Sequence, residues 1–167
     1  MRPKLFNNNL YKDNRGYFLE TYKKKSLNFD FVQDNFSFSK KGVIRGLHYQ
    51  FKYPQAKLLT VVKGKIFDVV VDIRKKSKNF GKVYKFILKE KMNNQLLVPR
   101  GFAHGFQCIS DEAMIYYKCD NYYFPKDQHG IIFNDKTLKI NWPIKKNIIV
   151  SNKDKQLPYL IENKKIF

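Results

Sequence analysis

Histidine is scarce in this chain: His48, His104 and His129 are the only three in 167 residues. Cysteine is scarcer still. Cys108 and Cys119 match no zinc or redox spacing, so the expectation is two reduced, structural thiols in a cytoplasmic protein. No apolar run approaches the length of a membrane helix. The opening MRPKLFNNNLYKD has no apolar core and does not read as a signal peptide. Acidic residues are also in deficit, with 14 Asp and Glu against 33 Lys and Arg, a net charge of +19.

So large a charge raises the question of nucleic acid. The lysines, however, fall in short scattered runs such as Lys23–Lys25, Lys75–Lys76 and Lys145–Lys146. No basic helix, zinc-finger spacing or RNA-binding signature accompanies them, so they read as a solvated surface and no nucleic-acid partner is expected. A basic field still suits a small anionic ligand such as a nucleotide diphosphate.

Aromatics are abundant, with 15 Phe and 11 Tyr, and they favour strands. Residues 57–73 predict two strands about a turn at Gly64. Further strands are expected over 82–88, 95–98 after a turn at Asn93-Asn94, 106–109, 114–119, 131–133 and 148–150. The polar Ser110-Asp111-Glu112 reads as the turn between the third and fourth of these. Only residues 22–28, and the turn at 135–138, have helical character. Short strands at regular spacing imply an all-β, jelly-roll β-barrel with short peripheral helices. The whole chain, 1–167, reads as one domain, its barrel core covering about residues 30–150.

Inward and outward residues alternate along barrel strands, which decides what can reach a cavity. His48 stands in RGLHYQ and His104 in PRGFAHGF. An Arg (Arg45), a His (His48) and a Lys (Lys57) along one cavity wall make poor core but suit a phosphorylated, carbonyl-bearing ligand. Pro99-x-Gly101-x-x-His104 resembles half of a cupin metal motif, but a second half with a His-x-His pair is missing. No metal is expected. Asp68 and Asp72 lie among valines in DVVVD, and one of them is expected to pair with a histidine or lysine of the pocket.

The ordered set Asp13–Glu20 (DNRGYFLE), Phe31–Asn35 with Ser37 and Ser39, RGLHYQ, Gln55-x-Lys57-Leu58, DVVVDIR, PRGFAHGF, Tyr117-Lys118, Tyr122-Tyr123-x-Pro125, Trp142-Pro143 and Ser151-x-Lys153-Asp154 resembles the dTDP-4-dehydrorhamnose 3,5-epimerase family across nearly the whole chain. Phe36 and Phe38 depart from it, standing where relatives often carry more polar residues. The resemblance implies a cupin-like barrel that epimerises C3 and C5 of a 4-keto sugar nucleotide through an enolate, without a cofactor. It assigns His48 as base, Asp154 as the carboxylate beside it, Tyr117 as acid and Lys57 as the cation at the C4 oxygen. It further implies Arg15 and Arg45 at the diphosphate, and Glu20, Gln33 and Asn35 at the nucleotide base. Phe18 and Tyr123 would stack, and His104 would line the pocket. A homodimer is implied as well, in which one subunit lends N-terminal residues to its neighbour's site.

Overall fold

The protein, seen in a computed structural model, is described at residues 1–91 and 93–167. Strands β1 (Lys4–Asn7), β2 (Leu10–Asp13) and β3 (Gly16–Leu19) precede a single helical turn, α1 (Lys24–Leu27). Then follow β4 (Gln33–Lys40), β5 (Val43–Gln50), β6 (Lys57–Asp72), β7 (Val83–Lys89), β8 (Asn94–Val98) and β9 (Phe102–Cys119). Short β10 (Gln128–Gly130), β11 (Ile149–Val150) and α2 (Asn152–Lys155) complete the order. The fold is an all-β, cupin-like jelly roll.

Two long strands organise it. β6 and β9 run antiparallel along their whole lengths, from Lys57 opposite Cys119 to Asp72 opposite Phe102. Both bend midway, so each serves two layers. In one layer the first half of β6 and the second half of β9 lie between β8, which carries β1, and β4. In the other, their remaining halves lie between β7 and β5, and β5 carries β10 and β11.

The bend corrects two expectations. Residues 57–73 form one continuous strand to Asp72 rather than two about a turn, and Ser110–Glu112 stays inside β9 rather than turning the chain. The register slips there instead: Gly64 pairs with Ala113, but Ile66 pairs with Cys108. Gly64 (φ +77°) permits this, because a Cβ on it would sit 1.9 Å from the Glu112 carbonyl oxygen.

Smaller departures have local causes. The helix expected over 22–28 shrinks to one turn, because Asn28 enters the left-handed region (φ 52°) and ends it. Residues 135–138 form a turn held by the Asp135 carboxylate, which accepts from the Thr137 and Leu138 N–H groups. The strand expected at 131–133 is replaced by β10 just before it; Ile131 still exchanges two backbone hydrogen bonds with Leu47 and then enters the core. Asn94 opens β8 rather than turning, and the adjoining Met92 lies outside the described residues.

Alternation sends Leu59, Val61, Ile66, Val70, Leu96, Phe102 and Ile115 into the barrel interior as one cluster. The opposite faces of β5 and β6 place Ile44, Leu47, Val69 and Val71 against Ile131, Leu138, Trp142 and Leu160 of the C-terminal segment. Each such side chain contributes about 1.5–3 kcal/mol when fully buried. A filled interior therefore fixes the strands rigidly around the polar end. The β2–β3 hairpin is a separate two-stranded sheet, with Tyr11, Tyr17 and Phe18 exposed.

Candidate active site

A cavity of about 700 Å³ opens between the two layers. The β5 layer supplies Arg45, His48 and His104; the β4 layer supplies Gln33, Asn35, Lys57 and Tyr117. Asp154 and Tyr123 stand at its wall from the connecting segments.

His48 owes its place to a register shift between Arg45 and His48 where β5 pairs with β9. Gly46 occupies the shift at φ +112°, and a Cβ there would lie 2.6 Å from the His104 carbonyl oxygen. Asp154 is 4% exposed. Its Oδ1 lies 2.7 Å from His48 Nε2, and its Oδ2 accepts from the Gly46 N–H at 3.2 Å. The Ser151 hydroxyl accepts from the Asp154 N–H at the start of α2 and fixes the carboxylate's direction. Burial pushes the Asp154 carboxyl up, but His48, the Gly46 N–H and Ser151 outweigh it and hold it below the usual carboxylate range. An ionised Asp154 takes its hydrogen bond from Nε2–H, so the lone pair of His48 sits on Nδ1.

The facing layer carries the phenol and the ammonium. Burial pushes the Tyr117 phenol above its ordinary pKa, with Cys119 adding and Arg45 opposing, so it keeps its proton at neutral pH. Burial also draws the Lys57 ammonium below the ordinary lysine range, against the pull of Cys119 and Asp68. Such a cation gives up its hydration readily and acts strongly on a developing oxyanion.

Asp68, fully buried, pairs with His104 at 2.9 Å. Asp72 instead holds Arg74 at 2.6 Å and the Ser77 hydroxyl, so of the two acids in DVVVD it is Asp68 that meets a pocket histidine. Arg45 is steadied by Ser39 and the Phe38 carbonyl. Gln33, Asn35 and Tyr123 are tied together: the Tyr123 N–H donates to Gln33 Oε1, and Gln33 Nε2 donates to Asn35 Oδ1. Phe36 and Phe38 point outward from β4 and are exposed, so they face away from the cavity.

Three sequence-assigned residues lie outside their own chain's cavity. Arg15 pairs with Asp13 at 2.6 Å, Glu20 with Lys23 at 2.7 Å, and Phe18 lies 64% exposed beside Tyr11. All belong to the projecting hairpin or its exit, which the barrel does not fold back over.

The cavity also holds Ser37, Gln50, Gln55, Cys119, Gln128 and Lys153, none of them assigned a site role from sequence. Two were legible: period-two alternation from Asn35 and Tyr117 puts Ser37 and Cys119 on the same inward face. Gln128 carried no signal, because its strand is three residues long. Among the described residues no group of three or more His, Cys, Asp or Glu side chains converges as a metal-ligand set.

The chain is similar to known proteins over nearly its whole length. The sequence model described as dTDP-4-dehydrorhamnose 3,5-epimerase matches residues 3–162. The protein of that name from Methanothermobacter thermautotrophicus is 42% identical over 161 residues, covering 92% of this chain and 87% of its own. That of Shigella flexneri is 45% identical over 157 residues, covering 90% and 86%. Among solved structures, the dTDP-6-deoxy-D-glucose-3,5-epimerase of Legionella pneumophila in complex with dTDP-4-keto-L-rhamnose superimposes with a TM-score of 0.92 at 41% identity, covering 96% of this chain and 88% of that one.

Proposed function

The chain belongs to the dTDP-4-dehydrorhamnose 3,5-epimerase family, and from that premise we propose that it inverts C3 and C5 of dTDP-4-dehydro-6-deoxy-D-glucose to give dTDP-4-dehydro-L-rhamnose. It is an isomerase, a sugar-nucleotide epimerase acting on a small molecule. The observation that carries the mechanism is the placement of a His48–Asp154 pair on one layer and Tyr117 with Lys57 on the facing layer of one cavity.

The C4 carbonyl acidifies the protons on C3 and C5. His48 Nδ1 removes a proton from one face of the ring, and Asp154 stabilises the imidazolium that forms. Lys57 meets the negative charge that develops on the C4 oxygen. Tyr117 returns a proton to the opposite face, so the centre inverts. Arg45 takes the diphosphate, and Gln33, Asn35 and Tyr123 take the nucleoside end. His104, buttressed by Asp68, lines the sugar end.

The working unit is a homodimer. Arg15, Phe18 and Glu20 act in the cavity of a second copy, which accounts for an exposed aromatic hairpin that does not reach its own site. Two buried free thiols suit a reducing cytoplasm.

NMR of the substrate in D₂O with purified protein tests the reaction. Deuterium at both C3 and C5 is expected. Label at one carbon would make it a partial epimerase, like the 3'-monoepimerase of Streptomyces bikiniensis to which it is 28% identical. No exchange above the blank would overturn the reading. For the dimer, mixing Arg15→Ala with His48→Ala protein should restore about a quarter of wild-type activity, because half the dimers are mixed and each holds one intact site. No recovery after exchange of subunits would sink the shared site.

A further inference from the structure

β9 carries Cys119 on a rung between two residues of the site. Gln33 of β4 pairs with it on one side and Lys57 of β6 on the other. All three line the cavity. The sulfur is buried, and it ends a directed chain of hydrogen bonds. The Tyr123 N–H donates to Gln33 Oε1 at 2.8 Å, Gln33 Nε2 to Asn35 Oδ1 at 2.9 Å, and Asn35 Nδ2 to Cys119 Sγ at 3.6 Å.

The direction of this chain matters. A carboxamide can present either its oxygen or its nitrogen to a ligand, and the choice is set by what holds the other end. Here a backbone N–H, which can only donate, fixes Gln33. Gln33 fixes Asn35, and the sulfur receives the last N–H. A thiol is a weak acceptor, so the final link is the one most easily lost. Burial pushes the Cys119 thiol up to about 11, against the pull of Lys57, so the sulfur keeps its proton at physiological pH.

We propose that Cys119 is a positioning residue for the epimerase reaction: its sulfur anchors the Asn35–Gln33 amide chain in the orientation that receives substrate and packs beside Lys57, so one side chain aligns both recognition and the cation that meets the enolate. This rests on the epimerase reading above. Cys119 touches no reacting atom; it acts through its neighbours on the rung.

The test is a double-mutant cycle on steady-state epimerisation, using Cys119→Ala, Asn35→Ala and the pair. One lost hydrogen bond to so weak an acceptor corresponds to about 2- to 3-fold, the low end of the usual range. Cys119→Ala should raise KM for the sugar nucleotide by that factor and also lower kcat, through Lys57. Asn35→Ala should raise KM alone. The pair should bind no worse than Asn35→Ala, because the sulfur then has no amide to hold. Cys119→Ser, whose shorter side chain still presents an acceptor on the same rung, should recover part of the KM change. KM effects that multiply across the cycle, or a serine variant as impaired as alanine while folded to the same melting temperature, would overturn the proposal. An inactive wild-type protein would instead refute the epimerase reading, which separates the two failures.

Discussion

Replacing Asp154 with Asn changes one atom of the carboxylate and disturbs the base in a calculable way. In the native site Oδ1 accepts from His48 Nε2 at 2.7 Å, and Oδ2 accepts from the Gly46 N–H at 3.2 Å. Both partners are donors. An Asn side chain offers only one acceptor. If its oxygen keeps His48, its NH₂ is driven against the Gly46 N–H in a nearly dry setting. If its oxygen keeps Gly46, its NH₂ donates to Nε2, and the imidazole proton moves to Nδ1, the nitrogen that must act as base. Loss of the charge-assisted bond alone corresponds to about 1.5–3 kcal/mol, or roughly 10- to 150-fold in rate. The wrong tautomer adds more; in serine proteases the equivalent change lowers kcat by about 10⁴. We therefore expect Asp154→Asn to slow deuterium exchange at both C3 and C5 by about 10²–10⁴-fold, with KM little changed. Exchange measured by NMR within threefold of wild type would refute the tautomer argument. The same substitution has a stability signature. The Asp154 carboxyl titrates below its unfolded range, so its ionised form stabilises the fold above about pH 4, and that contribution is lost as pH falls through the lower folded value. Denaturant titrations of wild type should show this acid-side loss, and Asp154→Asn should show a smaller one, since Asp72 and Asp135 also titrate below their ordinary range.

Four further outcomes follow from the same geometry. Lys57→Ala should slow both exchanges by about 10²–10³-fold. Because burial depresses the Lys57 ammonium, the wild-type rate should fall on the alkaline side below the ordinary lysine range near about 10.4, as rising pH removes the charge; a kcat–pH profile flat through that region would contradict it. Tyr117→Phe should leave solvent exchange partly intact while inversion fails, since abstraction and return of the proton use facing layers; product analysis beside exchange rates separates the two, and equal loss of both would refute the assignment. Gly46→Ala should destabilise the fold by about 1–3 kcal/mol from backbone strain alone, and more from the 2.6 Å approach to the His104 carbonyl. Urea titration reads this directly, and a change below 0.5 kcal/mol, roughly the scale of a neutral surface substitution, would show that the bulge relaxes easily.

The sequence by itself determined the barrel class and most of the chemistry. Aromatic and β-branched residues at period two can bury only one face, so Val83–Lys89 and Asn94–Val98 declared themselves as strands within a residue. The same alternation put Lys57 on the inward face with Leu59 and Val61, and the ordered motifs marked His48, Tyr117 and Asp154. The tertiary structure alone decided the rest. Gly64 and Ser110–Glu112 looked like turns, because local chemistry cannot distinguish a reversal from a bend that two crossing strands impose on each other. The Asp68–His104 pair, in preference to Asp72, was fixed by position along β6: both acids lie past the bend, but Asp72 ends the strand and is taken by Arg74. Asp154 sits 106 residues from His48, and only packing the start of α2 against the Gly46 bulge makes them one base. Strand periodicity is written locally in the chain; the meeting of catalytic partners depends on long-range register, which no short window of sequence contains.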